Sequence, residues 1–598
     1  MILQLPRLRV IALCGAAACA CASWLGAYFG EAYGGAAAFI GCWLLFVTAL
    51  SLRPARREVL GGAVLAAIFA AMRTLGVSYD SIDSYGMIFK NTRTLVTAFL
   101  AMVSLLAVAL CCILLAFTLL ARVRLRACGG QQDDPRAQRR LFWLCALVIF
   151  AGSIPYLILY APGLNIYDTH DQILQFFGYP SYIGDGSALS DHHPVFLTLV
   201  YGAFMQLGLL MGDANIGQLL YSLVSMAALA LCWAHALCLL CHLGLRRGAA
   251  TGIAFFVALY PVLALYAFNM CKDVSVEPFV LLFAAQMVLL DRTNGEAAKS
   301  PRFLAELALC ALAMMLTRKS AVYALAFAGL FAVLRFKGVR VRLGAALLGT
   351  AVAFQGIYSG FLLPMLGVIP GETREMLSIP FQQTARYLVT HGEDITEEER
   401  LALSRVIDIE HAVAHYDPRL SDAVKDTTNP DMTADDLAAY FGAWLSMGLR
   451  HPGVYMDAWL NMIYGYFYPS DSNTIVCLTL NSPDQGGIWL TQDSALEDKR
   501  LELYNFITYV LRRLPGVGAL FYVDAVTWAF LFLLIALMLR DGLRACVPWM
   551  FFVGTLGICM LSPKSGEIRY VLPILYALPV MLGAALLPGA GKEAVPHV

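Results

Sequence analysis

The chain of 598 residues alternates between long apolar runs and short polar connections, and it has one long polar stretch in its second half. A run of about 20 apolar residues can cross the hydrocarbon core of a bilayer as a helix. The pattern predicts fourteen spans of roughly that length, at 10–29, 33–52, 59–77, 94–121, 141–160, 217–243, 248–268, 274–290, 303–317, 320–335, 343–363, 519–540, 545–561 and 571–589. We call the polar stretch, residues 364–518, the polar region.

The polar region carries helix-start signals, which predict a mostly helical structure. Thr396 followed by Glu399 forms a capping-box pattern ahead of an amphipathic run to about Tyr416, and Thr433 with Asp436 repeats the pattern. The aromatic string at 464–468 suits a membrane–water interface, where a ring can be half wet, and it could equally stack on a sugar ring.

Composition strengthens the membrane interpretation. Only 14% of the residues are charged and 59% are hydrophobic, with a mean hydropathy of +0.68, whereas soluble domains average about 25% charged residues. These values exclude a disordered chain and a nucleic-acid binder with a basic field. Of the 16 cysteines only Cys477 lies in the polar region, so no disulfide can form within it.

The positions of lysine and arginine predict the direction of the spans. If the N-terminus is inside, the basic clusters near 53–57, 122–140, 246–247, 335–342 and 540–544 all fall on the cytoplasmic side. This requires that the apolar segment 195–211 does not cross and forms a re-entrant or interfacial element. The polar region, with 22 acidic and 11 basic residues, then lies outside, and the C-terminus lies inside.

The sequence therefore predicts an all-α polytopic membrane protein in four parts. These are an N-terminal four-helix segment at 1–140, a transmembrane core at 141–363 with a first outer loop at 161–216, the polar region, and C-terminal transmembrane helices at 519–598.

Ionisable residues gather at the predicted outer ends of the spans, where they are costly and therefore candidates for function. Between 161 and 194, a segment that we call the first polar loop, there is no lysine or arginine. Its candidate residues are Asp168, Asp171, Asp191, His192 and His193. Basic candidates on other segments are Lys272, Arg318 and Arg569. Acids on one loop and bases on others suit an anionic substrate with a carboxylate beside it.

Each of these residues also has a simpler interpretation. Asp168 can cap the helix that follows it, and Pro194 can start a helix after the two histidines. Arg318 and Lys319 can extend their side chains to the membrane interface. Asp191, His192 and His193 are weak metal candidates, so the sequence leaves a divalent metal ion open as a cofactor.

Several stretches resemble a bacterial multipass membrane family of unknown function, DUF6020, whose members look like GT-C-fold glycosyltransferases. The stretches are Pro162-Gly163 leading to Asp168, Ser190-Asp191-His192-His193-Pro194-Val195, Lys272-Asp273, Arg318, Ile379-Pro380-Phe381-Gln382-Gln383-Thr384-Ala385-Arg386 and Arg569-Tyr570, within roughly 140–580. The family usually follows its arginine with Asn-Asn-Gly, whereas this chain has Lys319-Ser320-Ala321 after Arg318.

The resemblance implies a GT-C-like enzyme of the bacterial plasma membrane with its active site facing outside. Asp168, helped by Asp171, would be catalytic, and Asp191, His192 and His193 would shape the acceptor side. Lys272, Arg318 and Arg569 would bind the phosphate of a polyprenyl-phosphate-linked sugar, and Gln382, Gln383 and Arg386 would cover the site. The acceptor would be a cell-envelope glycan, glycolipid or cell-wall polymer. A transporter or flippase for a lipid-linked saccharide and an oligosaccharide polymerase are the alternatives.

Overall fold

The structure is a computed structural model that describes residues 7–129, 134–182, 184–470, 475–514 and 516–589. The described chain is helical almost throughout. The α-helices before the polar region are Arg7–Phe29, Ala36–Ser51, Arg56–Ile82, Gly86–Phe89, Thr92–Ala127, Pro135–Leu159, Tyr167–Phe176, Val195–Leu210, Ala214–His242, Arg247–Leu259, Pro261–Tyr266, Lys272–Ser275, Glu277–Arg292, Pro301–Thr317, Ala321–Arg335, Arg340–Gly344, Thr350–Ala353 and Leu363–Met365.

The polar region is also helical, as its capping signals predict. Its α-helices are Ser378–His391, Glu397–Ser404, Ile409–Ala414, Asp422–Lys425, Ala434–Arg450, Pro452–Ile463 and Glu497–Asn505. The C-terminal helices are Val523–Asp541, Met550–Cys559 and Ile568–Leu586. Two short parallel strands, Leu164–Asn165 and Asn269–Met270, form the one named sheet in the described part of the chain.

Ten helices among the described residues are long and apolar enough to cross a membrane, which indicates a multi-pass membrane protein. The other four predicted runs form shorter helices or, at 248–268, a broken one. That run divides because Tyr260, which precedes Pro261, has an extended backbone, and a residue before proline disfavours the helical conformation. Fourteen spans with both termini inside stay a prediction.

The segment 195–211 forms one helix, Val195–Leu210, which turns at Gly212 and packs against Ala214–His242. Its 16 residues span roughly 24 Å at 1.5 Å per residue. This is shorter than a normal membrane span. The re-entrant or interfacial placement of this helix stays a prediction.

Both predicted capping boxes are confirmed, at Thr396 with Glu399 and at Thr433 with Asp436. The amphipathic run after Thr396 is shorter than predicted, because its helix ends at Ser404 and a new helix begins at Ile409. Asp408 caps that new helix by accepting a hydrogen bond from the His411 amide at 3.0 Å.

The aromatic string lies inside the protein. Tyr464, Tyr466 and Phe467 are buried, and the Tyr466 hydroxyl lies 3.0 Å from Ser562 Oγ. Neither a wet interfacial belt nor an open sugar-stacking surface describes these rings. They join the polar region to the loop at 561–567, which we call the last polar loop.

The N-terminal helices pack on the C-terminal ones. Arg56–Ile82 lies against Val523–Asp541, and Thr92–Ala127 lies against Ile568–Leu586. Arg73 forms an ion pair with the buried Asp524 at 2.8 Å across the first of these contacts. Ile568–Leu586 is mostly buried, and Arg569 lies in its first turn.

Candidate functional site

The two short strands bring Asp168 and Lys272 together. Leu164–Asn165 pairs in parallel with Asn269–Met270, so the chain leaves both strands at the same end. Helix Tyr167–Phe176 follows the first strand and helix Lys272–Ser275 follows the second. Asp168 and Lys272, each in the first turn of its helix, therefore emerge side by side.

Several buried contacts fix this strand pair. The Asn165 side chain accepts from the Asn481 amide at 2.6 Å and donates to its carbonyl at 3.0 Å, so the polar region adds a third segment beside the strands. The Thr169 hydroxyl donates to the Met270 carbonyl at 2.5 Å. Gly163 has a φ of 148°, and a Cβ there would lie 2.2 Å from Ser222 Oγ, so only glycine fits.

Two basic side chains from different segments contact Asp168, and a histidine from a third segment contacts one of them. Its Oδ2 lies 2.8 Å from Lys272 Nζ and 3.6 Å from Arg569 Nη1. Lys272 Nζ also lies 3.2 Å from His193 Nδ1. The side chains of Asp168 and Lys272 are each 25% exposed and that of Arg569 is 21% exposed, so the cluster is covered but still reachable.

The charges around Asp168 set its protonation state. Burial alone would raise the pKa of the Asp168 carboxyl, but the nearby basic groups, Lys272 first and then His193 and Arg569, outweigh it and hold that pKa well below its ordinary value. Burial, followed by the positive charge of Lys272, lowers the pKa of His193 well below its ordinary value. The His193 ring is therefore neutral near pH 7, and its Nδ1 accepts a hydrogen bond from the Lys272 ammonium.

Arg569 is held from behind by Glu567. The Glu567 carboxylate lies 3.3 Å from Arg569 Nε and 2.7 Å from Lys564 Nζ. Burial opposes the charge on Glu567, yet Arg569 and Lys564 keep its pKa below the ordinary value. The last polar loop is tied to the polar region, because the Ser421 amide donates to the Pro563 carbonyl at 2.7 Å. The position of Arg569 is thus set jointly by both segments.

Arg318 is the buried partner of Asp273, the residue after Lys272. Arg318 Nε lies 3.5 Å from Asp273 Oδ1. Glu277, four residues after Asp273, begins the helix Glu277–Arg292. Asp273 and Glu277 are fully covered. Among the described residues, both Glu277 oxygens, Asp273 Oδ2 and Arg318 Nη1 have no hydrogen-bond partner. The structure thus pairs Arg318 with a neighbour of Lys272, and its phosphate role stays a prediction.

Residues 191–193 have three different partners. Asp191 binds Lys319 at 3.1 Å, His193 binds Lys272, and His192 lies near Glu372 and Glu375. A parallel bridge between Ser190 and Ile369 holds this loop against the start of the polar region. Burial raises the pKa of Asp191, and Lys319 opposes that change. Lys319, where the chain departs from the Asn-Asn-Gly pattern, thus has a defined partner.

The group His192, Glu372 and Glu375 has the donor types that a divalent metal ion takes, and its donor atoms lie within 4.8 Å of one another. However, Glu375 lies 2.8 Å from Lys425 Nζ, and Glu372 forms an ion pair with Arg374. A cation at this group would have to share both carboxylates with these basic side chains. Metal dependence therefore stays open, and His193 is not a member of this group.

Four other predicted residues lie among different partners. Asp171 is buried and lies 3.3 Å from His170 Nδ1, one turn beyond Asp168. Gln382 donates to the Asp417 carbonyl, Gln383 donates to the Tyr455 carbonyl, and Arg386 binds Asp457. In the described part of the chain, none of the four forms an ion pair or hydrogen bond with Asp168, Lys272 or Arg569. Their catalytic and covering roles stay predictions.

Sequence reasoning missed Lys425, Glu372, Glu375 and Glu277 as neighbours of the site. The sequence could have indicated Glu277, because it stands four residues after Asp273, which is the spacing of neighbours on a helical surface. The other three come from the polar region, and their approach to the first polar loop depends on long-range packing that spacing along the chain does not encode.

The helices and this cluster define a multi-pass α-helical membrane protein with a charged site between the first polar loop and the polar region. Residues 183–588 match a protein-family model described as "Family of unknown function (DUF6020)". The match covers more than half of the chain, so the protein belongs to this family. Its start corrects the expected extent of about 140–580, since Pro162-Gly163 and Asp168 lie before it. Searches of curated proteins and of solved structures gave no match.

Proposed function

We propose that the protein is a glycosyltransferase with a GT-C-like fold that moves a sugar from a polyprenyl-phosphate donor to a cell-envelope acceptor. One observation carries the proposal: Lys272 and Arg569, from two different helices, lie 2.8 and 3.6 Å from the same oxygen of Asp168. A carboxylate beside two cations is the minimum set for removing a hydroxyl proton next to a departing phosphate.

The reaction assigns each of these groups one task. Asp168 takes the proton of the acceptor hydroxyl while the acceptor oxygen bonds to the anomeric carbon of the sugar. The bond from that carbon to the phosphate oxygen breaks, and its electron pair leaves with the polyprenyl phosphate. The phosphate gains one negative charge in this step. Lys272 and Arg569 therefore stabilise the transition state, in which the phosphate carries the extra negative charge, more strongly than the bound donor. This difference accelerates the transfer.

The position of the charged residues favours transfer over transport. Transporters commonly place ionisable residues near the membrane midplane on broken helices. Here Asp168, Lys272 and Arg569 lie at or beside helix starts. A flippase would return the lipid-linked sugar chemically unchanged, whereas a transferase or polymerase consumes it. Analysis of the lipid product therefore separates these classes.

The direct test uses the purified full-length protein in nanodiscs with a lipid extract from a host strain lacking the gene, in which the donor should accumulate, and a cell-envelope fraction of the same strain as the acceptor. Mass spectrometry should detect loss of the sugar-phosphate lipid and release of polyprenyl phosphate. Asp168→Asn should abolish this conversion, and Asp185→Asn should not, because Asp185 is an exposed residue of the same loop. Conversion that persists in Asp168→Asn would contradict the proposal.

The proposal also places the site outside the plasma membrane, with both termini inside. Two single-cysteine variants in a cysteine-free background test this orientation: Asp185→Cys in the first polar loop and Gly338→Cys in a basic connection, both exposed. A membrane-impermeant maleimide should label the first in intact cells and the second only after lysis. The reverse pattern would overturn the orientation.

A further inference from the structure

Asp168 occupies the place that a phosphate oxygen would take between Lys272 and Arg569. One carboxylate oxygen faces both cations, at 2.8 and 3.6 Å. Phosphate and carboxylate oxygens make the same kind of charge-assisted contact with ammonium and guanidinium groups. The three side chains remain 21–25% exposed, so this point is in contact with solvent.

This arrangement gives Asp168 two opposing properties. Burial acts against its charge, but the cations more than compensate and hold its pKa well below the ordinary value. A carboxylate that is stabilised so strongly is a poor acceptor for a hydroxyl proton. The two cations proposed to bind phosphate therefore also suppress the base, as long as they stay on Asp168.

We propose that the Asp168 carboxylate is an internal competitor for the phosphate subsite, and that an entering phosphate ester takes Lys272 and Arg569 away from it and so releases it to act as the base. This inference rests on the proposed function and adds an order of events to it. Phosphate binding precedes base activation, so an acceptor hydroxyl is not deprotonated while the donor subsite is empty.

In such an exchange, His193 holds Lys272 in place. An ammonium group has three hydrogen-bond donors. Lys272 can therefore keep its 3.2 Å contact with the neutral His193 ring while it exchanges Asp168 for phosphate. Glu567 plays the same part for Arg569, with a 3.3 Å contact to Nε that leaves Nη1 for the ligand. We thus assign His193 and Glu567 as positioning residues.

Binding of farnesyl phosphate to the full-length protein in detergent tests the competition without any transfer reaction. Farnesol, with the same chain and no phosphate, is the ligand control. Removing the competitor should tighten binding, so Asp168→Asn should bind farnesyl phosphate at least about threefold more strongly than the wild type. Lys272→Met should bind it about tenfold more weakly than the wild type. Neither variant should alter farnesol binding.

The opposite outcomes overturn the inference. These are Asp168→Asn binding farnesyl phosphate equally or more weakly, or Lys272→Met binding it as the wild type does. Thermal melting establishes that each variant is folded, and Asp168→Ser replaces Asp168→Asn if the latter does not fold. His193→Phe should weaken phosphate binding, whereas His193→Asn, which retains an acceptor near the Nδ1 position, should restore most of it.

The two proposals fail separately. If Asp168→Asn tightens phosphate binding but still transfers sugar, the proposed glycosyltransferase mechanism is wrong and the competition stands. If Asp168→Asn loses transfer without tighter binding of farnesyl phosphate, the mechanism stands and the competition is wrong. Asp185→Asn, outside the cluster, should match the wild type in both assays.

Discussion

Asp457 and Asp168 are two carboxylates with arginine partners, and they differ in the number of their partners and in their exposure. The Asp457 side chain is 8% exposed and accepts hydrogen bonds from four donors: the Tyr79 hydroxyl at 2.9 Å, the Ser84 hydroxyl at 3.0 Å, the Tyr85 amide at 3.1 Å, and Arg386. Among the described residues, Asp168 forms ion pairs with two cations, and a quarter of its side chain is exposed. The first carboxylate is saturated with partners, and the second is not.

The contrast separates a structural site from a reactive one. In the described part of the chain, Asp457 already has four hydrogen-bond donors, and through them this cluster ties the N-terminal helices to the polar region. Among the described residues, buried atoms without a hydrogen-bond partner occur in segments next to both clusters, at Asp191 Oδ1 and Arg318 Nη1 and at Gln382 Oε1 and Asn461 Oδ1. The two carboxylates therefore differ in their own partners and exposure, not in the number of unpartnered atoms around them.

Removal of the cation nearest to Asp168 should have the largest effect on activity. Lys272→Met leaves Arg569 alone against the phosphate charge, and loss of one such group typically costs about 10²–10³-fold in turnover. The rate of polyprenyl-phosphate release measures it. Lys499→Met is the matched control, because Lys499 is an exposed residue of the polar region. Equal rates for both variants would remove Lys272 from the site.

Asp457→Asn should lower stability and spare the chemistry. It leaves the Arg386 charge buried without its counter-charge, and breaking a buried pair costs about 3–5 kcal/mol. Denaturant unfolding in detergent should show this loss, while turnover per folded molecule stays within about twofold, a difference below 0.5 kcal/mol. Asp435→Asn, at an exposed position, should leave the unfolding free energy almost unchanged. A stable but inactive Asp457→Asn protein would reverse the roles assigned to the two clusters.

The pH dependence should distinguish the two carboxylates as well. Because Lys272 and Arg569 hold the pKa of Asp168 below its ordinary value, the carboxylate is charged in the free protein at every pH above about 4. The kcat/KM profile should then have no acidic limb from Asp168 between about pH 5 and 8. An acidic limb near pH 6 that disappears in Lys272→Met would contradict this.

The same pKa direction fixes the sign of the stability effect. A carboxyl group whose folded-state pKa is lowered contributes stability above its unfolded pKa and loses it as the pH falls through the folded value. The stability difference between wild type and Asp168→Asn should therefore be constant above about pH 5 and shrink below about pH 4. Unfolding curves at several pH values measure it.

Lys319→Asn should have the smallest effect. Lys319 is 39% exposed and pairs with Asp191, and such partly exposed pairs contribute about 0–1 kcal/mol. Turnover should change by less than about fivefold, a difference of roughly 1 kcal/mol. A loss as large as that of Lys272→Met would place Asp191 and Lys319 inside the reactive cluster.

The sequence predicted the helical class, the capped helices at Thr396 and Thr433, and the residues that meet at Asp168, because each depends on local pattern or on the ends of apolar runs. It did not predict that Arg386 would pair with Asp457 or that the rings of Tyr464, Tyr466 and Phe467 would be buried. Both outcomes depend on packing between distant segments, since Tyr79 and Asp457 are joined only in the folded chain. The distinctive stretch 379–386 ends at Arg386, which pairs with Asp457 and so contributes to structure.

The most direct test of the central claim is the lipid-linked sugar pool of a strain lacking the gene, complemented with wild type, Asp168→Asn or Asp185→Asn at equal expression. We expect the donor lipid to accumulate and the corresponding surface glycan to be lost with Asp168→Asn, as in the uncomplemented strain, and both to be normal with the other two. A normal lipid pool and a normal glycan profile with Asp168→Asn would contradict the account.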